Sequence, residues 1–254
     1  MKTPAMFAML AVLLATPVVA PAHQVQVEGE VRQPGTHAIA PGARFVDVIV
    51  AAGPTEQAYP LGAAVLRPAA TSAQQRLKAG LQYDLEALSA ADLPPAVAAQ
   101  VPRFAAWLDS LPVTGRVRVD LEPRRMEVDR GSNRLAAEGD RFVYPRRPDT
   151  IRVAGAVAAP CELPHAPLRD AADYLRECPA AAGADRETLY VIQPDGEVQR
   201  LGIAAWNRSA AQALAPGAVV YVPLDERAVR DVAPEFNAGM AAFLATQHLP
   251  AGGP

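Results

Sequence analysis

The sequence is poor in the residue types and motifs that carry chemistry. Its 254 residues include two cysteines and four histidines, and the histidines are scattered over the terminus, the loops and the tail. A G-x-S-x-G elbow and a glycine-rich phosphate loop are both absent. Covalent hydrolysis needs a nucleophile, a base and an orienting group held together. We therefore predict no catalytic residues, no cofactor and no metal site.

Lysine and long apolar runs are also scarce. Lys2 and Lys78 are the only lysines, and the formal net charge is −3, which argues against nucleic acid as a partner. The longest apolar run lies between Ala5 and Ala20, after Lys2 and before the small-x-small sequence Ala20-Pro21-Ala22. This pattern predicts a signal peptide over residues 1–22, cleaved before His23, and a periplasmic protein.

The two cysteines, Cys161 and Cys178, both lie in the second half of the chain. In an oxidising periplasm they are able to pair. Because a disulfide also needs a Cα separation that sequence does not supply, two buried free thiols remain the alternative.

The chain contains an internal repeat. Seven residues recur without a gap at an offset of 126: Val27, Gly29, Val31, Pro34, Ala40, Pro41 and Asp47 return as Val153, Gly155, Val157, Pro160, Ala166, Pro167 and Asp173. Farther on, Gly139, Val143 and Pro145 match Gly217, Tyr221 and Pro223 at an offset of 78. The smaller offset indicates an insertion of 48 residues in the first copy. Such self-similarity predicts one small fold used twice.

Each copy has the pattern of a β-grasp domain. Two strands joined at a proline turn lead into a short helix, and later strands follow it, which is a β-β-α-β-β order. In the second copy we expect the helix to run from Leu168 to Cys178. The fold class is therefore α+β, with tandem domains at 23–150 and 151–225.

The insertion, at about 68–115, has two apolar stripes at helical spacing and predicts a helical hairpin. We expect the stripes to hold the hairpin together and against the sheet. Trp107, in the second stripe, has the alternative role of a floor for a sugar ring.

Residues 232–249 predict a C-terminal amphipathic helix with an apolar face of Phe236, Met240, Phe243 and Leu244. This face can dock on the protein's own domain, on a partner or on a membrane. The helix is too short and one-sided to cross a bilayer alone.

The motif V-x-G-x-V-x-x-P-G at Val27–Gly35 resembles the soluble-ligand-binding β-grasp (SLBB) domain of bacterial polysaccharide-export proteins. The order of parts, with the run 111–117, the pair Trp206-Asn207 and the C-terminal helix, resembles the GfcC-type capsule-biosynthesis family. The resemblance implies an arginine in a narrow cleft at the base of the hairpin. Arg116 matches best, with Arg118 and Arg103 as alternatives.

A guanidinium in such a cleft binds carboxylate or phosphate, whereas the alternative for Arg116 is a structural ion pair. Trp206, beside Asn207, is expected in the core, with ligand contact as the alternative. The resemblance implies a non-enzymatic periplasmic accessory protein of capsule or exopolysaccharide biosynthesis or export. Its partner would be an outer-membrane polysaccharide exporter or another capsule-assembly protein. The alternative function is binding or modification of an acidic polysaccharide around Arg116.

Overall fold

The computed structural model describes residues 23–128 and 131–251, and the expected signal peptide lies outside them. Two five-stranded mixed sheets form the framework. The strands are β1 His23–Gly29, β2 Gly35–Ile39, β3 Ala64–Leu66, β4 Arg116–Val117, β5 Arg141–Tyr144, β6 Thr150–Gly155, β7 Cys161–Pro164, β8 Thr188–Ile192, β9 Val198–Gly202 and β10 Val219–Val222. The first sheet has the order β2-β1-β5-β3-β4 and the second the order β7-β6-β10-β8-β9.

The two sheets repeat one topology, which confirms the predicted tandem β-grasp-like fold. In each, the first strand pairs antiparallel with the second and parallel with the last. Gly29 and Gly155 occupy equivalent positions with φ of 92° and 103°. A Cβ would lie 2.0 Å from the Tyr144 carbonyl oxygen in the first case and 2.2 Å from that of Val222 in the second. Only glycine fits, which explains why both copies keep it.

The insertion lies between β3 and β4, where the second domain has only a tight turn. It consists of α2 Thr71–Ala90, α3 Pro95–Ala98 and α4 Val101–Ser110. Leu81, Leu85 and Leu88 of α2 are buried, as are Phe104 and Leu108 of α4. The predicted second helix is interrupted before Pro102, whose ring and missing N–H are tolerated in the first turn of a new helix.

The hairpin packs on the second domain. The core of the first domain includes α1, Phe45–Ala52, and is separate from the core that surrounds the hairpin. The hairpin leucines share one apolar cluster with β6, β8 and β10 and with the C-terminal helix α8, Phe236–Leu244. The rings of Phe104 and Tyr221 are 6.3 Å apart. An element inserted in one domain thus completes the core of the other.

Two predicted helices are shorter than expected. Instead of 168–178, the second domain has α6, Ala171–Tyr174. Leu168 has a positive φ of 62°, and the backbone N–H groups of Leu175, Arg176 and Glu177 bond three residues back, so the segment continues as turns. The C-terminal helix ends at Leu244 rather than 249. Two further helices were not predicted, α5 at Pro123–Val128 and α7 at Glu226–Val229.

Candidate functional site

Arg116, the best sequence candidate, lies at the start of β4 and is only 8% exposed. Its backbone is fixed from α2, because the side chain of Gln74 accepts a bond from the Gly115 N–H at 2.8 Å and donates to the Arg116 carbonyl at 3.0 Å. Gly115 has φ 73°, and a Cβ there would lie 2.6 Å from the Arg67 carbonyl oxygen. This geometry aims the guanidinium away from the hairpin, toward the C-terminal tail.

Backbone carbonyls surround the Arg116 guanidinium. Nη1 donates to the carbonyls of Gln247 at 2.7 Å and Ala245 at 3.3 Å, and Nη2 donates to that of Pro194 in the β8–β9 turn. The buried Nε has no acceptor among the described residues. Burial lowers the pKa of Arg116 to about 10, so the side chain stays charged at neutral pH. Carbonyls that follow a helix end carry partial negative charge and favour a cation.

Arg116 binds backbone carbonyls, which is neither of the two roles that the sequence suggested for it. It forms no ion pair within the described part of the chain, and its donors bind main chain where a ligand's carboxylate would have to sit. Arg118, an alternative candidate, is exposed and forms a 3.4 Å ion pair with Glu197. Arg103 donates to the Gln100 side chain and to the Ala158 carbonyl. The guanidinium of Arg116 is thus bonded to the protein's own tail and to the β8–β9 turn.

The tail segment, residues 245–251, crosses both domains. The Thr114 hydroxyl donates to the Thr246 carbonyl at 2.7 Å, and the Gln247 amide donates to the Pro112 carbonyl at 3.1 Å. The Leu249 side chain packs against Gly62 and Gly217. A Cβ atom added to these glycines would lie 2.8 Å and 3.1 Å, respectively, from Leu249 Cδ1. Ala251 packs on a small cluster from β3 and β5. The segment therefore joins the domains through hydrogen bonds and through the packing of Leu249 against a glycine of each domain.

The apolar face of α8 is covered by the protein itself. Phe236, Met240 and Phe243 are fully buried, and Leu244 is nearly so. The ring of Phe236 lies 5.8 Å from that of Phe104, and Gly239 brings α8 close to Leu81 of α2. Of the three arrangements considered for this helix, the structure has it docked on its own chain, so these side chains present no free surface to a partner or membrane.

The two tryptophans have opposite environments. Trp107 packs at the edge of the shared core, 5.9 Å from the Phe104 ring and 6.2 Å from that of Tyr221. Trp206 was expected in the core, but 73% of its surface is exposed. Asn207 turns inward, accepting from the Ala204 N–H and donating to the Glu187 carbonyl. Trp107, Trp206 and Arg116 thus contact different neighbours and do not form one cleft.

Cys161 and Cys178 form a disulfide with a Cα separation of 6.0 Å. It ties the start of β7 to the end of the turns that follow α6. Cys178 is fully buried in the shared core. The pairing thus fixes the loop 161–178 on the second sheet.

The surface of the described residues includes two clefts that charged side chains line. The first has a volume of 220 Å³, between α6 and the loop after β9, and its lining includes Asp170, Arg176 and Arg208. The second, more open and 570 Å³ in volume, lies at the domain junction beside Tyr59, Arg146 and Arg147. The Arg147 guanidinium lies over the Tyr59 ring, and burial raises the pKa of Tyr59 to about 12.

Neither membrane-spanning helices nor metal clusters occur in the described ranges. None of the helices within 23–128 and 131–251 is long and apolar enough to cross a bilayer. Over the same ranges, no group of three or more His, Cys, Asp or Glu side chains is arranged to hold a metal ion. Three histidine rings bond to backbone carbonyls: His37 to Gln33, His165 to Leu214 and His248 to Leu249.

The fold and the tail contacts define a tandem β-grasp protein whose hairpin and C-terminal helix share one core. Residues 159–250 match the family model described as capsule biosynthesis GfcC C-terminal. The chain is 32% identical over 190 residues to a protein of Escherichia coli (strain K12) described as uncharacterized protein YjbG, and the match covers 74% of this chain and 76% of that protein. The chain belongs to the GfcC capsule-biosynthesis family.

The tail segment was not predicted as a structural element of its own. Gln247 and Leu249 were counted as part of a helix or as its end, yet they contact both domains. No local pattern marks Gln247, because its partners Arg116 and Pro112 lie more than a hundred residues away along the chain.

Proposed function

We propose that this chain is a periplasmic, non-enzymatic accessory protein of capsule or exopolysaccharide biosynthesis or export, which acts as an adaptor to the export machinery. The observation that carries the proposal is membership of the capsule-biosynthesis family. The disulfide supports the location, since disulfides persist in oxidising compartments. The expected signal peptide at 1–22 fits the same compartment.

Three features support a non-enzymatic role. The charged group most suited to binding a substrate, Arg116, is occupied by carbonyls of its own chain. Three of the four histidine rings have backbone partners of their own. Finally, the hairpin, second domain and α8 form one continuous core, which makes a stiff body better suited to holding partners than to closing on a substrate.

The adaptor surface must lie outside α8, because its apolar face is buried. Strands β2 and β7 form corresponding edges of the two sheets. Edge strands carry main-chain donors and acceptors that a partner's extended segment can pair with. We assign contact with an outer-membrane polysaccharide exporter or another capsule-assembly protein to these edges.

Site-specific photo-crosslinking in living encapsulated cells tests this assignment. A photoreactive amino acid is placed at Thr36 on β2, at Glu162 on β7 and, as a control, at exposed Tyr83 on α2. We expect crosslinks to a polysaccharide exporter from the edge positions and none from Tyr83. Point replacements are needed, because removing residues 232–254 would expose the core under α8.

Two further measurements test the remaining parts of the proposal. Osmotic shock should release the protein from the periplasm. Its two cysteines should resist alkylation until a reductant breaks the disulfide. Deletion of the gene should lower surface polysaccharide. The adaptor role is overturned if no crosslink to the export machinery forms and deletion leaves the surface polysaccharide unchanged. Retention of the protein in the cytoplasm would overturn the location.

A further inference from the structure

The first cleft contains charged groups that the fold does not use. Asp170 stands at the N-cap position of α6, where a carboxylate usually accepts a helix N–H, yet its side chain makes no such bond. It has no ion-pair partner in the part of the chain that the structure describes, and the same is true of Arg208. By contrast, Arg176 and Asp173 in the same cleft pair with each other at 3.0 Å. One free carboxylate and one free guanidinium therefore line the cavity.

The loop that carries Trp206 is held rigidly. At its base, the Gly202 N–H donates to the Ser209 hydroxyl at 2.9 Å, and the Ser209 N–H donates back to the Gly202 carbonyl at 3.0 Å. Within the loop, Asn207 bonds to Ala204 and to Glu187. These contacts fix the backbone of the loop on the C-terminal side of Trp206 and at its base, so the position of Trp206 in the chain is well defined.

Two exposed apolar residues, Trp206 and Leu168, are close in sequence to residues that line the cleft. Trp206 lies between Ile203 and Arg208, which line one wall. Leu168, which is 90% exposed, lies two residues before Asp170 on the other side. Leu168 also has a left-handed backbone, with φ of 62°, a conformation that is strained in a non-glycine residue. A strained and exposed residue two positions from a cleft-lining carboxylate is typical of a binding site.

We propose that this cleft binds a pyranose saccharide, with the indole of Trp206 as the stacking platform and Asp170 and Arg208 as the hydrogen-bonding groups. A sugar ring has an apolar C–H face that packs on an aromatic ring, and hydroxyls around its edge. A carboxylate accepts from such hydroxyls, whereas a guanidinium donates to them or to a uronate.

The size and the edge chemistry of the cleft favour a saccharide over a peptide. A volume of 220 Å³ is below the about 300–1,000 Å³ of pockets that enclose drug-sized ligands, and suits one ring of a chain. A peptide strand would need the main chain of β9 at this end, but the N–H and carbonyl of Gly202 are already bonded to Ser209. The site does not depend on the adaptor role.

Binding is tested on the chain from His23 to Pro254 with a glycan array, followed by titration with maltotetraose and with a glucuronate-containing hyaluronan tetrasaccharide. We expect saturable binding of at least one pyranose glycan that is weakened at least about tenfold in Trp206→Ala, in line with the loss of an aromatic anchor. If Arg208 contacts a carboxylate, Arg208→Ala should lower the affinity for the uronate glycan more than the affinity for the neutral one. If Arg208 contacts hydroxyls, it should lower both affinities alike.

Tyr83→Ala is the matched control, because Tyr83 is 71% exposed on α2, outside the residues that line the cleft. Its affinity should equal that of the unaltered chain, and the thermal midpoints of all three variants should agree, which separates binding from folding. The proposal is overturned if no glycan binds above the Trp206→Ala level, or if binding survives that replacement. Capture of a protein through Trp206 with no glycan bound would also overturn it.

Discussion

At the scale of single residues, Arg116 shows how a buried cation can be accommodated without an anion. Carbonyl dipoles from the tail and from the β8–β9 turn replace the water that burial removes. A carbonyl left without a donor in a buried place costs free energy, and bonds to charged groups are the stronger class. The side chain therefore stabilises the attachment of the tail to both domains.

Arg116→Met tests this role. The replacement keeps an apolar stem but leaves the carbonyls without a donor, so we expect the free energy of unfolding to fall by about 2–4 kcal/mol. Arg118→Met is the matched control, because its exposed ion pair with Glu197 is worth only about 0–1 kcal/mol. Urea denaturation measures both. An unchanged midpoint for Arg116→Met would show that the tail is held by other contacts.

His248, in the tail, predicts a pH dependence. Burial lowers the pKa of His248 below its usual value, and the Arg116 and Arg141 charges add to this, while the Leu249 carbonyl and Glu28 act the other way. Since the unfolded chain then binds the proton more readily, His248 favours the folded state above about pH 6.5. That contribution is lost as pH falls through the unfolded and then the lowered folded pKa.

We therefore expect His248→Gln to reduce the loss of stability on acidification. Urea denaturation of both chains at pH 7.5 and pH 5 isolates the contribution, because the carboxylates common to both chains cancel in the comparison. Equal losses in the two chains would mean that His248 titrates alike in the folded and unfolded states.

At the scale of elements, the disulfide holds a segment in which the sequence predicted a longer helix. Only Ala171–Tyr174 of 168–178 is helical, and the covalent link fixes the end of the turns that follow it on the sheet. Closing a loop of this length restricts the unfolded chain, and such links contribute typically about 2–4 kcal/mol. We expect the double replacement of both cysteines by serine to lower the free energy of unfolding by that amount.

A reductant supplies the control for the disulfide prediction. Adding it should lower the unfolding midpoint of the natural chain toward that of the double variant, and should leave the double variant unchanged. A reductant effect on the double variant, or none on the natural chain, would contradict the assignment of this stability to the disulfide.

Helix α8 gives a sharper test of where the C-terminal apolar face lies. Phe243 is fully buried, so Phe243→Ala should lower the free energy of unfolding by about 3–5 kcal/mol, measured by thermal or urea denaturation. Ala242→Ser, on the exposed face of the same helix, should change stability by only about 0.5 kcal/mol or less. Equal, small effects would indicate that the helix is undocked in solution.

The elements that sequence predicted are those with local signals. Alternating apolar residues and proline turns marked both hairpins, and the repeat linked the two copies. The leucines of the insertion showed that one face of a helix is buried, but periodicity does not say which partner buries it. The docking of the hairpin on the second domain and the carbonyl partners of Arg116 depend on contacts between distant parts of the chain. Those contacts leave no local pattern.

At the scale of the whole molecule, the shared core makes the domains interdependent. The hairpin belongs to the first domain by sequence, yet its apolar side chains complete the core of the second. The tail segment, which follows the second domain, returns across the first. Each domain therefore lacks part of its packing when the other is absent, and we expect the pair to unfold as one unit.

Calorimetry of the chain from His23 tests this coupling. We expect a single transition whose van't Hoff and calorimetric enthalpies agree, the signature of one cooperative unit. Leu85→Ala, in α2, should lower the whole transition, since a buried leucine-to-alanine change costs about 2–5 kcal/mol. Val50→Ala, at an exposed position of α1, should leave it in place. If Leu85→Ala split the transition in two, the second domain would be unfolding before the first. The packing of the hairpin would then be too weak to make the two domains one cooperative unit.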